Sequence, residues 1–121
     1  MGAHAATGFD LARFRRALEE RDTEAQLAMY APDATVTIAD RMTPPGSPRV
    51  LRGTAEIEAW IADVSAREMT HAVGHSVQDD HGAALTEACR YADGTNVICA
   101  TVIELADGLI VDQKVVQAWD E

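Results

Sequence analysis

Apolar residues recur at spacings of three and four in the first half of the chain, which is the period of an amphipathic helix. The spacing in residues 9–20 predicts one helix, with Asp10 as its N-cap. A second helix is predicted from residue 22 and stops at Pro32, because proline cannot continue helical hydrogen bonding. Residues 54–64 repeat the pattern and predict a third helix.

The remaining apolar segments alternate with a period of two, which predicts strands. These segments are residues 34–39, 69–78, 83–91, 96–105 and 109–119. Asp-Gly pairs at 93–94 and 107–108 are typical of tight hairpins, so the last three strands follow one another directly. Residues 96–105 are so apolar that we expect this strand to be covered on both faces.

Three prolines and two glycines between residues 40 and 53 predict a long loop, and loops of this length in compact domains are often functional. The order of helices, strand, loop, helix and four strands indicates an α+β fold. We expect a cone-shaped domain in which three N-terminal helices pack on a curved, mainly antiparallel sheet.

The chain has 121 residues and a formal charge of −10. This length suits one domain, predicted over residues 9–121 after a flexible tail at 1–8. The negative charge argues against nucleic acid and anionic membranes as partners, and no secretory signal is evident. Cys89 and Cys99 lie in apolar strands without metal spacing, so free thiols in a reducing compartment, the cytoplasm, are expected.

Three segments resemble the nuclear transport factor 2-like superfamily, in particular its SnoaL-like and ketosteroid-isomerase-like branch. They are AMYAPDATVTIAD at residues 28–40, RGTAEIEAWI at 52–61 and ELADGLIVDQKVVQAW at 104–119. The resemblance implies a deep pocket between sheet and helices, a homodimer and no cofactor. Members of this group include isomerases, polyketide cyclases, dehydratases and non-catalytic proteins, so the motifs mark the fold and not an activity.

The steroid isomerases of this group use a basic aspartate together with a tyrosine and a protonated aspartic acid. The resemblance places Ile38, Phe14 and Thr101 at these three positions. None of the three can supply the required group. Steroid isomerisation by that mechanism is therefore not expected, although the three residues are still expected to line the pocket.

Asp40 offers a substitute carboxylate, since it shares a strand face with Ile38. A carboxylate beside apolar walls can act as an acid or base near neutrality. The alternative is that Asp40 only begins the following loop as an exposed turn residue.

His71 is the second catalytic candidate, because histidine titrates near pH 7 and SnoaL-like cyclases pair a histidine with an aspartate. The alternative is a strand histidine with only a structural hydrogen bond. His75 is predicted to share its face. The spacing of the four histidines indicates no metal site.

Strand alternation groups the residues of the later strands by face, and the resemblance implies which faces are concave and line the pocket. The residues expected to contact a ligand are Phe14, Ile38, Trp60, Val73, Thr86, Arg90, Cys99, Thr101, Val115, Gln117 and Trp119. Arg90 could hold a carboxylate or stabilise an enolate, or it could simply form an ion pair.

The opposite faces are expected to pair with a second copy. They carry Leu85, Glu87, Cys89 and Tyr91 on one strand and Ile98, Ala100, Val102 and Glu104 on the next.

The sequence thus leaves three functions open. The first is a cofactor-independent enzyme that moves a proton on a small, mostly apolar, oxygenated molecule, with Asp40 and His71 as acid and base. The others are a protein that binds such a ligand unchanged and a pure dimerisation domain.

Overall fold

The structure is a computed structural model that describes residues 8–120, so all but Gly8 of the predicted tail lies outside it. Its helices are α1 (Leu11–Glu20), α2 (Thr23–Leu27) and α3 (Gly53–Ser65). Its strands are β1 (Tyr30–Ala39), β2 (Arg49–Arg52), β3 (Met69–Gln78), β4 (Gly82–Tyr91), β5 (Asn96–Ala106) and β6 (Leu109–Trp119). None of the helices in the described part of the chain is long and apolar enough to cross a membrane.

The helix ends follow the predicted polar residues closely, with one exception. The carboxylate of Asp10 accepts a hydrogen bond from the Arg13 N–H and caps α1. Helix α2 ends at Leu27, earlier than predicted, because β1 already begins at Tyr30. Pro32 therefore lies in a strand. It falls at a break in the β1–β6 register, where its missing N–H removes no ladder hydrogen bond.

One six-stranded sheet, in the order β2-β1-β6-β5-β4-β3, forms the whole β layer. Only β1 and β6 pair in parallel, and all the other neighbours are antiparallel. The predicted α+β class is confirmed, with three helices on a curved, mostly antiparallel sheet. Sequence analysis missed the edge strand β2, because four residues with one buried side chain are too few to show an alternation.

The main core lies between the helices and the inner face of the sheet. Phe14, Ile57 and Ile110 are almost completely buried there. The outer face of the sheet is different, since Ile98 and Val102 of β5 are 60% and 62% exposed. In the single chain, the prediction that this strand is covered on both faces is therefore wrong.

Candidate active site

A cavity opens between the inner face of β3–β6 and the helices α1 and α3. Its walls include Phe14, Trp60, His71, Cys99, Thr101, Val115, Gln117 and Trp119, all of which the sequence placed in the pocket. Phe14, Cys99, Thr101 and Val115 are buried, whereas Trp60, Gln117 and Trp119 are partly exposed. The inward faces predicted for β5 and β6 thus agree with the structure.

The alternation predicted for β4 is out of phase by one residue. Leu85, Glu87 and Cys89 point into the cavity, whereas Thr86 and Arg90 are exposed on the outer face. The inward set contains the more apolar residues of this strand. A one-residue slip in register reverses every side chain of a strand. Arg90 and Thr86 therefore cannot contact a ligand held in this cavity.

Two other predicted ligand contacts belong to the core around the cavity. Ile38 is 2% exposed and packs within the main core. Val73 is half-buried and packs against the same core. Neither residue lines the cavity, and both pack within the hydrophobic core next to it.

A bulge in β3 separates the two histidines that were predicted to share a face. The β3–β4 register shifts between Val73 and Ser76, so the alternation breaks after Val73. His71 lines the cavity, whereas His75 is exposed. Gly74 lies at this point, where a Cβ atom would come within 2.7 Å of the Thr86 hydroxyl oxygen.

The most distinctive feature of the cavity is a buried cluster of His71, Glu87 and Cys89. His71 Nδ1 lies 2.9 Å from Glu87 Oε2, and the two side chains are only 6% and 11% exposed. The same nitrogen lies 3.2 Å from Cys89 Sγ. One N–H cannot point at both neighbours, so Nδ1 is a shared contact between a carboxylate and a thiol.

Two polar atoms of this cluster are left without hydrogen bonds within the described residues. They are His71 Nε2 and Glu87 Oε2, which lies near Nδ1 but outside good hydrogen-bonding geometry. A buried polar group without a partner costs about 1–3 kcal/mol. Such groups are uncommon in folded proteins and often mark a site with a chemical task.

The thiol of Cys89 is held in its protonated form. A hydrogen bond to Cys99, burial and the nearby charge of Glu87 all raise the pKa of the Cys89 thiol. Because the thiolate is the nucleophilic form, Cys89 is poorly suited to attack a substrate. Its role in the cluster is to pack and to contact Nδ1.

His71, Glu87 and Cys89 also offer nitrogen, oxygen and sulfur atoms that all lie within 4.8 Å of one another. These are atom types that bind zinc-like cations, and they come together in space although their sequence spacing does not show it. Two ligands of one tetrahedral zinc ion are about 3.3–3.6 Å apart, given bonds of about 2.0–2.3 Å. The separations of 2.9 and 3.2 Å are shorter and fit direct contact between the side chains.

The deeper end of the cavity has a second polar pair, Tyr30 and Gln113. The Tyr30 hydroxyl donates to Gln113 Oε1 at 2.5 Å, and both residues are buried. Burial raises the pKa of Tyr30, the hydrogen bond to Gln113 opposes this, and the charge of Glu87 adds to the rise. Tyr30 therefore stays protonated near pH 7, and its hydroxyl donates a hydrogen bond to Gln113.

Asp40 lies outside the cavity, at the start of the loop after β1. Its Oδ1 accepts hydrogen bonds from the Met42 N–H, the Thr43 N–H and the Thr43 hydroxyl at 2.8–2.9 Å. Burial acts to raise the pKa of Asp40, but these hydrogen bonds and the charge of Arg49 lower it overall. Asp40 does not line this cavity but borders a neighbouring groove that it shares with Arg67, Tyr91 and Trp119. Its hydrogen bonds match the alternative of a turn residue.

The cavity ends at a rim built from four side chains. Arg21 Nη1 donates to the Arg67 carbonyl oxygen, and Arg67 Nη1 donates to the Tyr91 hydroxyl, both at 2.8 Å. Tyr91 stacks on Trp119 with ring centroids 5.5 Å apart. All four residues line the cavity, and we call them the rim.

Sequence reasoning missed the rim and the carboxylate of the cluster for different reasons. Glu87 was assigned to the wrong face of β4, and choosing the more apolar face would have placed it correctly. Arg21 and Arg67 lie just beyond the ends of α1 and α3. Outside a helix or strand, no periodic pattern predicts the direction of a side chain.

A small α+β domain with a cavity between a curved sheet and three helices is the architecture of nuclear transport factor 2-like proteins. The sequence profile of the SnoaL-like domain matches residues 11–113, and the chain belongs to this family. No curated protein matches the chain significantly.

Solved structures of low sequence identity share the fold. An NTF2-like protein of unknown function from Mesorhizobium loti superimposes with a TM-score of 0.75 at 16% identity, covering 89% of this chain and 87% of its own. A ketosteroid isomerase candidate from Kribbella flavida gives 0.72 at 19% identity, covering 92% and 75%. A polyketide cyclase candidate from Sinorhizobium meliloti gives 0.66 at 20% identity, covering 87% and 91%.

Proposed function

We propose that this protein is an enzyme that moves a proton on a small, mostly apolar, oxygenated molecule held in the cavity. The reaction would be an isomerisation, cyclisation or dehydration that needs no cofactor. The observation that carries this proposal is the buried contact of 2.9 Å between His71 Nδ1 and Glu87 Oε2. An imidazole and a carboxylate in contact can accept a proton from a substrate and return it.

His71 and Glu87 would act as one acid–base unit. Because the two groups are in direct contact, a proton taken from a substrate by one can be passed to the other. The unpartnered Nε2 and Oε2 atoms give the unit capacity for a further hydrogen bond. In this proposal Glu87 is the carboxylate of the acid–base pair, a role that the sequence analysis assigned to Asp40.

The rest of the cavity favours an apolar substrate with an oxygen atom. Phe14, Leu85 and Val115 supply apolar walls. Gln113 and Thr101 are buried polar residues that also line the cavity, and they can hydrogen bond a carbonyl or hydroxyl group. Similar structures include isomerase and cyclase candidates, which agrees with this class of chemistry without fixing the substrate.

Deuterium exchange tests the proposal without knowledge of the natural substrate. A panel of small cyclic and aryl ketones is incubated with the protein in D2O, and loss of the proton next to the carbonyl is followed by NMR. We expect the protein to accelerate exchange of at least one ketone and His71→Ala to abolish the acceleration. His75→Ala is the matched control, since His75 lies on the same strand but is exposed.

The same experiment separates catalysis from simple binding. If no ketone exchanges faster than in buffer, although ketones bind in the cavity, the enzyme proposal fails and a ligand-binding protein is the better description. The absence of the isomerase groups at Phe14, Ile38 and Thr101 is the observation that favours this second function.

We propose further that the outer face of the sheet pairs with a second copy. Ile98, Val102 and Val116 are 58–62% exposed on neighbouring strands, with Ala100 between them. Exposed apolar patches of this kind mark interfaces. Leu85, Glu87, Cys89 and Tyr91, which the sequence assigned to this face, point inward instead. Sedimentation should show a dimer that Val102→Lys dissociates, and a strict monomer at micromolar concentration would contradict the proposal.

A further inference from the structure

The rim of the cavity carries two arginines in a protein whose charge is strongly negative. The chain has 10 basic and 20 acidic residues, yet Arg21 and Arg67 both line the same end of the cavity. They are in direct contact through the hydrogen bond from Arg21 Nη1 to the Arg67 carbonyl oxygen. A third arginine, Arg41, lies over the Trp119 ring, with its guanidinium carbon 4.2 Å from the ring centroid.

The three arginines differ in whether a carboxylate already lies close to the guanidinium. Arg67 is paired with Asp63 at 2.7 Å and also donates to the Tyr91 hydroxyl. Arg41 lies close enough to Asp93 to lower the pKa of that carboxyl, after the larger effect of the Thr95 hydrogen bonds. Within residues 8–120, Arg21 has no carboxylate at ion-pair distance. A guanidinium has five N–H donors, so most donors of Arg21 remain for a ligand.

The backbone of Arg21 is fixed at the end of α1, and its exposed side chain makes a hydrogen bond to the Arg67 carbonyl oxygen. It caps α1 in the left-handed conformation, with φ of 56°, and its backbone N–H bonds to carbonyl oxygens of the last turn. The side chain then spans from the end of α1 to Arg67, the second residue after α3. A guanidinium fixed at the mouth of an apolar cavity is suited to bind a carboxylate through two parallel hydrogen bonds.

We infer that the substrate of the proposed reaction is an apolar molecule with a carboxylate, which binds to Arg21 at the rim while the reacting carbon lies beside His71 and Glu87. This inference rests on the proposed function and adds the class of substrate. The Tyr91–Trp119 stack would cover one side of the bound acid.

The register of the sheet places the rim residue Tyr91 close to the level of His71. His71 pairs with Cys89, which is two residues before the rim residue Tyr91 on β4. Two residues of a strand span about 6.6 Å. The apolar part of the substrate would extend toward Phe14 and Val115, which line the same cavity.

Binding of simple acids tests this inference. The probes are benzoate, phenylacetate and 3-phenylpropanoate, together with neutral phenylacetamide. Binding is followed by NMR at the indole N–H of Trp119, which donates to Gln117 Oε1 at 3.0 Å and lies at the rim. We expect at least one acid to bind about tenfold more tightly than the amide, and added salt to weaken the acid alone.

Three variants locate the charge that is responsible. Arg21→Gln should reduce the preference for the acid by about tenfold, and Arg21→Lys should retain part of it. Arg16→Gln is the control, because it removes the same charge from an exposed position on α1. Equal binding of acid and amide, no shift at Trp119 with any probe, or equal losses in the Arg16 and Arg21 variants would each overturn the inference.

The two proposals fail in different ways. If acid and amide bind equally while ketone exchange still depends on His71, the carboxylate inference falls and the proposed reaction stands. If the acids bind through Arg21 but no probe undergoes exchange, the rim is an anion site of a binding protein, and both the reaction and the substrate assignment fall.

Discussion

Glu87 Oε2 lies 2.9 Å from His71 Nδ1, and both side chains are buried at diagonal positions of the neighbouring strands β3 and β4. The carboxylate oxygen is also without a well-aligned hydrogen bond in the described chain. A folded core does not need such a group, and a neutral side chain of the same shape would fit with less cost. The pair thus lowers the stability of the folded state, which is common for residues of an active site.

Glu87→Gln should therefore leave the fold intact and raise Tm by about 2–4 °C, an effect of about 1 kcal/mol. The reason is that the amide keeps the shape of the side chain but removes a buried charge. Thermal unfolding followed by circular dichroism measures this. Glu104→Gln, at an exposed position of β5, should change Tm little. A fall of several degrees in the Glu87 variant would show that the ion pair stabilises the fold.

Asp40 is predicted to act on the loop and not on the reaction. Asp40→Ala removes the acceptor of three hydrogen bonds and should destabilise the protein, while the rate of ketone exchange per folded molecule stays unchanged. Because the folded state lowers the pKa of Asp40, its contribution is present above pH 4 and is lost as the pH falls further. Denaturant unfolding at pH 7 and pH 3 should therefore show a smaller difference between variant and wild type in acid.

Tyr30 and Gln113 are predicted to depend on one another. Tyr30→Phe leaves the buried Gln113 oxygen without its donor and should cost about 1–3 kcal/mol of unfolding free energy. The double variant Tyr30→Phe with Gln113→Leu should cost less than the sum of the two single changes. Urea unfolding of the four proteins measures the coupling, and simple additivity would show that the hydrogen bond contributes nothing.

Gly82 and Gly46 form a matched pair for testing the packing beneath β4. A Cβ atom at Gly82 would come within 2.8 Å of the Ile103 carbonyl oxygen, whereas nothing lies within 4 Å of one at Gly46. Gly82→Ala should therefore lower the unfolding free energy by about 1–3 kcal/mol, since backbone must move. Gly46→Ala should change it by less than about 0.5 kcal/mol. Equal effects on denaturant unfolding would contradict the close approach of β4 and β5.

Cys89 is predicted to react slowly in the folded protein. Its raised pKa and its burial both keep the thiolate scarce and covered. Mass spectrometry after treatment with iodoacetamide at pH 8 should show little modification until urea is added. Rapid alkylation of Cys89 in the native state would reopen a nucleophilic role for it.

Much of this fold could be predicted from the sequence, because periodicity and turn residues act locally. Five of the six strands, the three helices and the N-cap at Asp10 follow from such signals. The errors occur where a distant contact decides the outcome. Pro32 is accommodated in a strand by a break in the ladder with β6, and the bulge after Val73 turns His75 away from His71.

The site was harder to predict than the fold for the same reason. His71 could be found because histidine in an apolar strand is conspicuous. Its carboxylate partner, Glu87, could be found only if the correct face of β4 was chosen. A shift of one residue in the alternation turned the face with Glu87 outward and the face with Arg90 inward. Asp40 was chosen by extending the alternation of β1, yet the strand ends at Ala39 and the next residue turns into the loop.

The most direct test of the account asks which carboxylate works with His71. Ketone exchange in D2O is measured for the wild type, Glu87→Gln and Asp40→Asn, two changes that each replace a carboxylate by an amide of the same shape. We predict that the Glu87 variant loses at least about 100-fold in rate, the range expected for loss of a general acid–base group, while the Asp40 variant retains wild-type activity. Full activity in the Glu87 variant, or loss in the Asp40 variant alone, would contradict the assignment of the His71–Glu87 pair.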